Sequence, residues 1–228
     1  MAGLLVLVIL IALTIPITVR SDKDGTRAEA ISNIKQVGMA MYSFSQDYGK
    51  YPDASTIEAV HKKTGTLLNL GTKTSNDYFR QLIAAGCIDS ETSFHTNIKG
   101  SRRSDRQIDG IHALEKGECG FAYIVGLNPE GQPEHPLLVT PLIPGTDRFD
   151  TIPFKGKAII FWTDNSAWVT PIDNNGHAID MNAWPGFMRS RVTPIDNNGH
   201  AVDATGRNLL DPSNPLWHGQ PPVIAWPE

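Results

Sequence analysis

The N-terminal segment constrains the fold of this chain more than any other part. From Leu4 to Val19 every residue is apolar except Thr14 and Thr18. As a helix this stretch would extend about 24 Å, slightly short of the ~30 Å hydrocarbon core of a bilayer. The pattern predicts a membrane anchor over residues 1–20. It favours an anchor over a cleaved signal peptide, because no basic side chain precedes the stretch and no A-x-A-like site follows it.

A helical pattern continues after the apolar stretch, over residues 21–50. Large apolar residues recur there at intervals of three or four, and most charged residues fall between them. Gly49 and Pro52 end the pattern. The sequence therefore predicts one long helix with a membrane-anchored half and an amphipathic half. The residues expected to dock the head onto this helix are Ile31, Ile34, Val37, Met41 and Phe44.

Short helices and then strands are expected in the head, residues 51–228. The S-x-x-E spacing from Ser55 predicts a capping box and a helix to about Lys63, and a second helix should begin near Ser75 or Asn76 and end at Gly86. The polar stretch Thr92 to Asp109, with its three arginines, is typical of a solvated surface loop. Apolar runs between turns predict an antiparallel sheet of four or more strands. These runs are Phe121 to Leu127, Leu137 to Leu142, Lys157 to Trp162 and Ala167 to Ile172.

Composition and motifs exclude some functions. The formal net charge is −4 and only 19% of residues are charged, so no basic surface is available to neutralise a phosphate backbone, and nucleic acid is not an expected partner. The signature motifs of nucleotide-binding proteins, zinc proteases and α/β-hydrolases do not occur. No spacing organises the histidines and carboxylates into a nucleophile and a base, so we do not expect an enzyme.

Two cysteines, Cys87 and Cys119, are enough for one disulfide bridge. A bridge between them would close a loop of about 30 residues and stabilise the fold by roughly 3 kcal/mol. The alternative is a pair of free thiols, because the sequence does not give the distance between the two Cα atoms.

The string VTPIDNNGHA occurs twice, at Val169–Ala178 and Val192–Ala201, which predicts a duplicated hairpin over 169–180 and 192–203. Carboxylate and amide oxygens around a Gly turn are ligands that calcium accepts, although the terminal Glu of an EF-hand loop is missing. The weak calcium candidates are Asp173, Asn175, Asp180, Asp196, Asn198 and Asp203. A plain Asn-Asn-Gly turn is favoured over a calcium site, and no other cofactor is expected. His177 and His200 are expected to be polar surface rather than metal ligands.

Five tryptophans occupy the last third of the chain, at 162, 168, 184, 217 and 226. If their rings were exposed they could stack on sugars, which makes a membrane-anchored carbohydrate-binding surface protein the alternative function. The favoured interpretation is structural, with Trp162 and Trp168 as a cross-strand pair beside the turn at Asp164-Asn165-Ser166.

The segment AISNIKQVGMAMYSFSQDYGKYPDA, Ala30 to Ala54, resembles the post-membrane helix of type IV pilin-like and type II secretion pseudopilin-like proteins of the planctomycete and verrucomicrobial kind. Weaker similarity runs through SNDYFRQLIAAG, CGFAYIVGL, GKAIIFWTDNSAWV and GRNLLDPSNPLW, and so covers nearly the whole chain. The residues that match the helix pattern are Pro16, Asn33, Ile34, Lys35, Gln36, Val37, Gly38, Ala40, Tyr42, Asp47, Gly49 and Pro52.

The resemblance implies an α+β protein in which a long N-terminal helix packs on an antiparallel sheet. It also implies a structural subunit of an envelope secretion or fibre apparatus that assembles with copies of itself and with other pilin-like subunits. The expected location is a single pass through the inner membrane, with the head in the periplasm or outside the cell. The residues expected to make the assembly contact are Leu4, Leu5, Val6, Leu7, Val8, Ile9, Leu10 and Ile11.

The N-terminus departs from the family pattern. Pilin precursors carry a Gly followed by F-T-L-I-E or a similar string, whereas Gly3 is followed here by Leu4, and Val8 stands at the position of the Glu. Two explanations are open: a leader precedes Met1 in the precursor, or the protein is a membrane-anchored relative that does not polymerise in the usual way. The slightly short apolar span favours the first.

Overall fold

The computed structural model describes residues 2–130, 135–169, 196–200 and 208–228, with side chains from residue 25 onward except at 168 and 169. Within these residues the protein is α+β, with three α-helices, two short 3-10 helices and a five-stranded sheet. The α-helices are α1 (Ala2–Tyr48), α2 (Ile57–Thr64) and α3 (Ser75–Ala84), and the 3-10 helices are η1 (Glu91–Phe94) and η2 (Pro215–Trp217). The strands are β1 (Ala122–Val125), β2 (Pro136–Thr140), β3 (Ile159–Trp162), β4 (Ala167–Val169) and β5 (Val223–Ala225).

Helix α1 ends where the sequence pattern predicts. Gly49 adopts a φ of 77°, which favours glycine, and its amide donates to the carbonyl of Ser45 at 2.8 Å. The expected docking residues Ile34, Val37, Met41 and Phe44 are fully buried, and Ile31 is half-buried against the same core. The spacing of these residues places them on one face of the helix, which therefore lies against the head.

Glycine at position 38 lets α1 approach the sheet closely. A Cβ atom built on Gly38 would lie 2.2 Å from Cζ of Phe161 on β3, a separation that real Cβ atoms do not show. The Phe161 ring therefore packs against bare helix backbone. Any larger residue at position 38 would have to push the helix and the sheet apart.

The capping of the two short helices differs from the prediction. Helix α2 begins after Thr56, whose side chain makes no capping bond; instead Asp53 Oδ1 accepts the amides of Ser55 and Thr56 at 2.7 and 3.1 Å. The predicted capping box at Ser55 is therefore wrong: the N-cap is Thr56, and the Ser55 hydroxyl donates to Asp53 Oδ1 at 2.7 Å instead of accepting a helix amide. The observed capping box belongs to α3 and is formed by Thr74 and Asp77.

The sheet is antiparallel, with strand order β4-β3-β2-β1-β5. The four predicted runs each overlap a strand, and β5 was not predicted because its run, VIA, is only three residues long and lies among prolines. The predicted strand Ala167 to Ile172 includes β4, and its last three residues lie outside the described residues. In the β3–β4 hairpin Trp168 pairs with Ile160, so the predicted cross-strand pairing of Trp162 with Trp168 is wrong by two residues.

Both faces of the sheet are covered. Alternate residues such as Tyr123 and Phe161 pack toward α1, whereas Ile124, Ile160 and Trp162 pack toward the opposite face. Leu209, Leu210 and Trp217, from the closing stretch of the chain, cover that opposite face. The sheet is thus the middle layer between the helices and the C-terminal segment.

Candidate functional site

The region with the most unusual chemistry lies between η1 and β1. Helix α1 holds η1 by hydrogen bonds: the side-chain amide of Asn33 donates to the carbonyls of His95 at 2.9 Å and Thr92 at 3.3 Å. Gln36, one turn later on α1, accepts a hydrogen bond from the Ser93 hydroxyl at 2.9 Å. These bonds fix the position of Glu91, the first residue of η1, relative to α1.

Helix α3 supports the opposite side of this region, where its side chains bind the backbone of Ala113 and Leu114. Arg80 donates to the carbonyls of Ala113 at 2.7 Å and Leu114 at 2.9 Å, while its guanidinium is paired with Asp77 at 2.7 Å. The side-chain amide of Asn76 donates to the carbonyl of Leu114 as well, at 3.0 Å. Asn76 and Arg80 are themselves buried, so they hold the backbone of Ala113 and Leu114 in a fixed position.

Two fully buried carboxylates, those of Glu91 and Glu118, lie in this region. Glu91 Oε1 accepts the amide of Leu114 at 2.6 Å, but Glu91 Oε2 has no hydrogen-bond partner. Both oxygens of Glu118 are used, because Oε1 accepts the amide of Asp105 at 3.0 Å and Oε2 accepts the amide of Glu115 at 2.8 Å. Arg102 also lies 3.3 Å from Glu118 Oε1.

Burial, together with the weaker effect of the nearby carboxylates of Glu118 and Asp105, raises the pKa of Glu91 to about 7. The amides of Leu114 and, more weakly, Arg106 act in the opposite direction. Glu115, at the outer edge, has its pKa lowered by hydrogen bonds from His112 and Arg102. The inner carboxyl is thus held near its titration midpoint at neutral pH, whereas the outer one stays ionised.

Two groups of three side chains within the described residues bring ligand atoms within 4.8 Å of one another, a spacing that suits a metal ion. The inner group is Glu91, Asp105 and Glu118, and the outer group is Asp105, His112 and Glu115. We call the inner group the carboxylate triad. It contains only oxygen ligands, and Asp105 connects it to the surface.

Sequence patterns contain little signal for the triad. Its three residues are unevenly spaced along the chain, and Asp105 lies in the segment Thr92 to Asp109, which the sequence predicts to be a surface loop. The dense run HALEKGE from His112 to Glu118, with acidic residues three apart, was the available signal. Arg102 is exposed, as predicted, and its side chain also pairs with Glu115 and Glu118 and donates to the carbonyl of Lys116 at 2.8 Å.

A separate groove of about 310 Å³ opens behind this loop. Its walls include Lys99, Lys116, Leu142 and Pro144, together with the C-terminal Glu228. The residues that line it include no histidine, and its one thiol, Cys119, is protonated at neutral pH because burial raises its pKa to about 12.

The repeated string is described only in its second copy, at residues 196–200. There Asp196 donates its amide to the carbonyl of His200, and Asp196 Oδ1 accepts the amides of Asn198 and His200 at 2.8 and 2.9 Å. Gly199 has a φ of 87°, as a tight turn requires. The predicted Asn-Asn-Gly turn is present in this copy, and the Asp196 carboxylate stabilises the turn by accepting two of its backbone amides. Asp173, Asn175, Asp180 and Asp203 lie outside the described residues, as do His177 and Trp184.

Of the two alternatives for the cysteines, the structure has the pair of free thiols, since Cys87 and Cys119 are not bridged. Cys119 Sγ lies 3.8 Å from the Ser75 hydroxyl, at the start of α3, whereas Cys87 follows the end of the same helix. Ten residues of helix separate these ends by about 15 Å, too far for a bridge. Burial also raises the pKa of both thiols, that of Cys119 to about 12.

Described tryptophan side chains are used mainly for packing. Trp162 and Trp217 are buried, and Trp217 Nε1 donates to the carbonyl of Leu209 at 2.7 Å. Trp226 is half-buried and donates to the carbonyl of Thr146 at 3.0 Å. These rings do not form the exposed platform on which a sugar would stack.

The expected assembly residues Leu4 to Ile11 lie where only the helical backbone is described, so their side-chain contacts fall outside the described residues. Among the residues whose side chains the structure describes, which begin at residue 25, no helix has the combined length and apolarity that a membrane crossing requires. Comparisons of the chain with protein-family models, curated proteins and solved structures find no match.

Proposed function

We propose that this protein is a pilin-like or pseudopilin-like structural subunit of an envelope secretion or fibre apparatus. In this proposal the head lies in the periplasm or outside the cell. Residues 1–20 anchor the protein in the inner membrane and contact copies of the same helix or other pilin-like subunits. The proposal assigns no catalytic role to any residue.

The observation that carries the proposal is the packing of α1 on the head. Residues of α1 from Ala30 to Phe44 bury a continuous face against α3, η1 and β3, and Gly38 allows backbone contact with Phe161. The motif residues Asn33 and Gln36 hold η1 from the same helix. A helix held this rigidly by its C-terminal half can present its N-terminal half to other subunits in a fixed direction.

The opposite face of α1 supports assembly as well. Met39 and Tyr42 are large apolar or aromatic side chains that remain 56% and 39% exposed on the helix. A heterologous contact between this face and the next copy would extend into a filament rather than close into a ring.

Cysteine cross-linking of the full chain in bacterial membranes tests the proposal. In a Cys87→Ser background, Val8→Cys is expected to give oxidative cross-links between copies, in a membrane fraction that resists alkaline extraction. Lys62→Cys, on the exposed side of α2, is the matched control and is expected to give few cross-links. Recovery of the chain in the soluble fraction, or equal cross-linking at both positions, would overturn the proposal.

A further inference from the structure

We propose that the carboxylate triad, Glu91, Asp105 and Glu118, binds a hard divalent cation of the calcium type. The site is separate from the repeated hairpin and does not depend on the assembly function. It would tie the loop before β1 to η1, and through η1 to α1.

Geometry is the first support. The ligand oxygens of the three carboxylates lie within 4.8 Å of one another. Calcium binds oxygen at about 2.4 Å, so ligands on opposite sides of one ion lie roughly 4.8 Å apart. The spacing of the triad is therefore compatible with coordination of a single ion by all three residues. Magnesium needs shorter bonds and near-ideal octahedral geometry, which a triad held by separate loops satisfies less easily.

An orphaned oxygen is the second support, and it is independent of the clustering. Glu91 is completely buried and its Oε1 is bonded to the Leu114 amide, whereas its Oε2 has no partner at hydrogen-bond distance and angle, although the Arg106 amide is near enough to lower the pKa of the carboxyl. Leaving a buried anionic oxygen without a partner is costly unless a proton or a cation neutralises it. One carboxylate oxygen of Glu91 lies within 4.8 Å of a carboxylate oxygen of both Asp105 and Glu118, so a cation between them could neutralise Glu91.

Charge is the third support. Three carboxylates converge here, and the cation close to them, Arg102, is shared between Glu118 and Glu115 outside the triad. The triad therefore keeps an excess of negative charge that one divalent ion would balance. The Asp105 side is exposed, which gives the ion a path of entry and room for water ligands.

The backbone bonds of the triad explain why the site would be preorganised. Glu118 accepts amides from Asp105 and Glu115, and Asn76 and Arg80 hold the segment 113–115 in place. Supporting hydrogen bonds of this kind orient ligands and raise affinity.

The test uses the full chain in mild detergent, freed of metal with a chelator and titrated with calcium at mildly alkaline pH. Calorimetry should show one site, and the melting temperature should rise by on the order of 5 to 10 °C at a hundredfold excess over Kd. Glu91→Gln should lose the calcium-dependent rise whatever its own baseline stability. If that variant does not fold, Asp105→Asn, at an exposed position, should show the same loss.

Two control variants locate the ion. Glu58→Gln, on the exposed face of α2, and Asp196→Asn, in the repeated turn, should keep the full calcium response. Loss of the response in Asp196→Asn but not in Glu91→Gln would assign the ion to the repeat and overturn the proposal. A response to zinc alone that disappears in His112→Ala would assign the ion to the outer group instead. Absence of any calcium response in the wild-type chain would show that Glu91 is simply a buried protonated acid.

Discussion

Helix α1 contacts the head in two chemically different ways. Toward the sheet the contact is apolar and very close, with Val37, Met41 and Phe44 fully buried and Gly38 against the ring of Phe161. Toward η1 the contact is polar, made by Asn33 and Gln36, and beyond it lie the buried acids Glu91 and Glu118. The apolar contact should supply most of the stability, because dispersion and burial act over many atoms at once. The polar contact fixes the orientation of η1 relative to α1, and the buried acids beyond it make the stability depend on pH.

Phe44→Ala tests the apolar contact and should have the largest effect. Phe44 is fully buried and stacks on Tyr48 with ring centroids 4.3 Å apart. Removal of a buried phenylalanine ring is expected to lower the free energy of unfolding by about 3–5 kcal/mol. Urea unfolding of the full chain in detergent, followed by tryptophan fluorescence, measures this loss. Met39→Ala, at an exposed position of the same helix, should change stability by less than about 0.5 kcal/mol.

The polar contact predicts a pH dependence without divalent cation. The pKa of Glu91 is raised to about 7 by burial and by nearby carboxylates, so the folded state holds a proton that the unfolded state releases near the ordinary value of 4.5. Glu91 therefore favours folding most below pH 4.5, and this benefit is lost as the pH rises to 7, by roughly 3 kcal/mol. The measurement is the difference in unfolding free energy between wild type and Glu91→Gln across this range. A constant difference would contradict the prediction.

Gly38→Ala tests whether the close approach of α1 to β3 contributes to the stability of the apolar contact. The added methyl group would collide with Phe161 and should cost about 1–3 kcal/mol. In a Phe161→Ala background the same change should be neutral or stabilising, because alanine favours helix over glycine by about 1 kcal/mol. The double-mutant cycle measures this coupling. Gly25→Ala, on α1 with no atom within 4 Å of the new Cβ position, should stabilise the helix slightly.

Asn33→Ala should have the smallest effect. It removes the hydrogen bonds to the carbonyls of His95 and Thr92, and the loss of buried pairing should cost about 1–2 kcal/mol. Hydrogen exchange should become faster near η1 but stay unchanged in β3. Lys35→Ala, two residues along the helix and exposed, is the control. Equal acceleration in β3 would mean that the two contacts are not separate.

Local patterns were sufficient for much of the fold. The spacing of Ile34, Val37, Met41 and Phe44 predicted the buried face of α1, and runs between turns located β1 to β4 within a few residues. Local patterns did not predict which of several neighbouring groups would form a given hydrogen bond or strand pair. The Ser55 hydroxyl binds Asp53 rather than capping α2, and Trp168 pairs with Ile160 because the turn sets the register of the hairpin.

The candidate site shows the limit of the sequence more clearly. Glu91, Asp105 and Glu118 come from separated positions, and nothing in their spacing relates them. The two cysteines could not be assigned as bridged or free from the sequence, because only the fold places them near opposite ends of α3.

By itself the sequence determined the elements whose cause is local: an amphipathic helix from its period, helix ends from glycine and proline, and strands from apolar runs. Only the tertiary structure decided which distant groups meet. It set Gly38 against Phe161, placed β5 beside β1, kept the cysteines apart and buried Glu91 with one oxygen unpaired. The physical reason is that periodicity depends on neighbours along the chain, whereas burial and charge depend on all the elements that fold around a group.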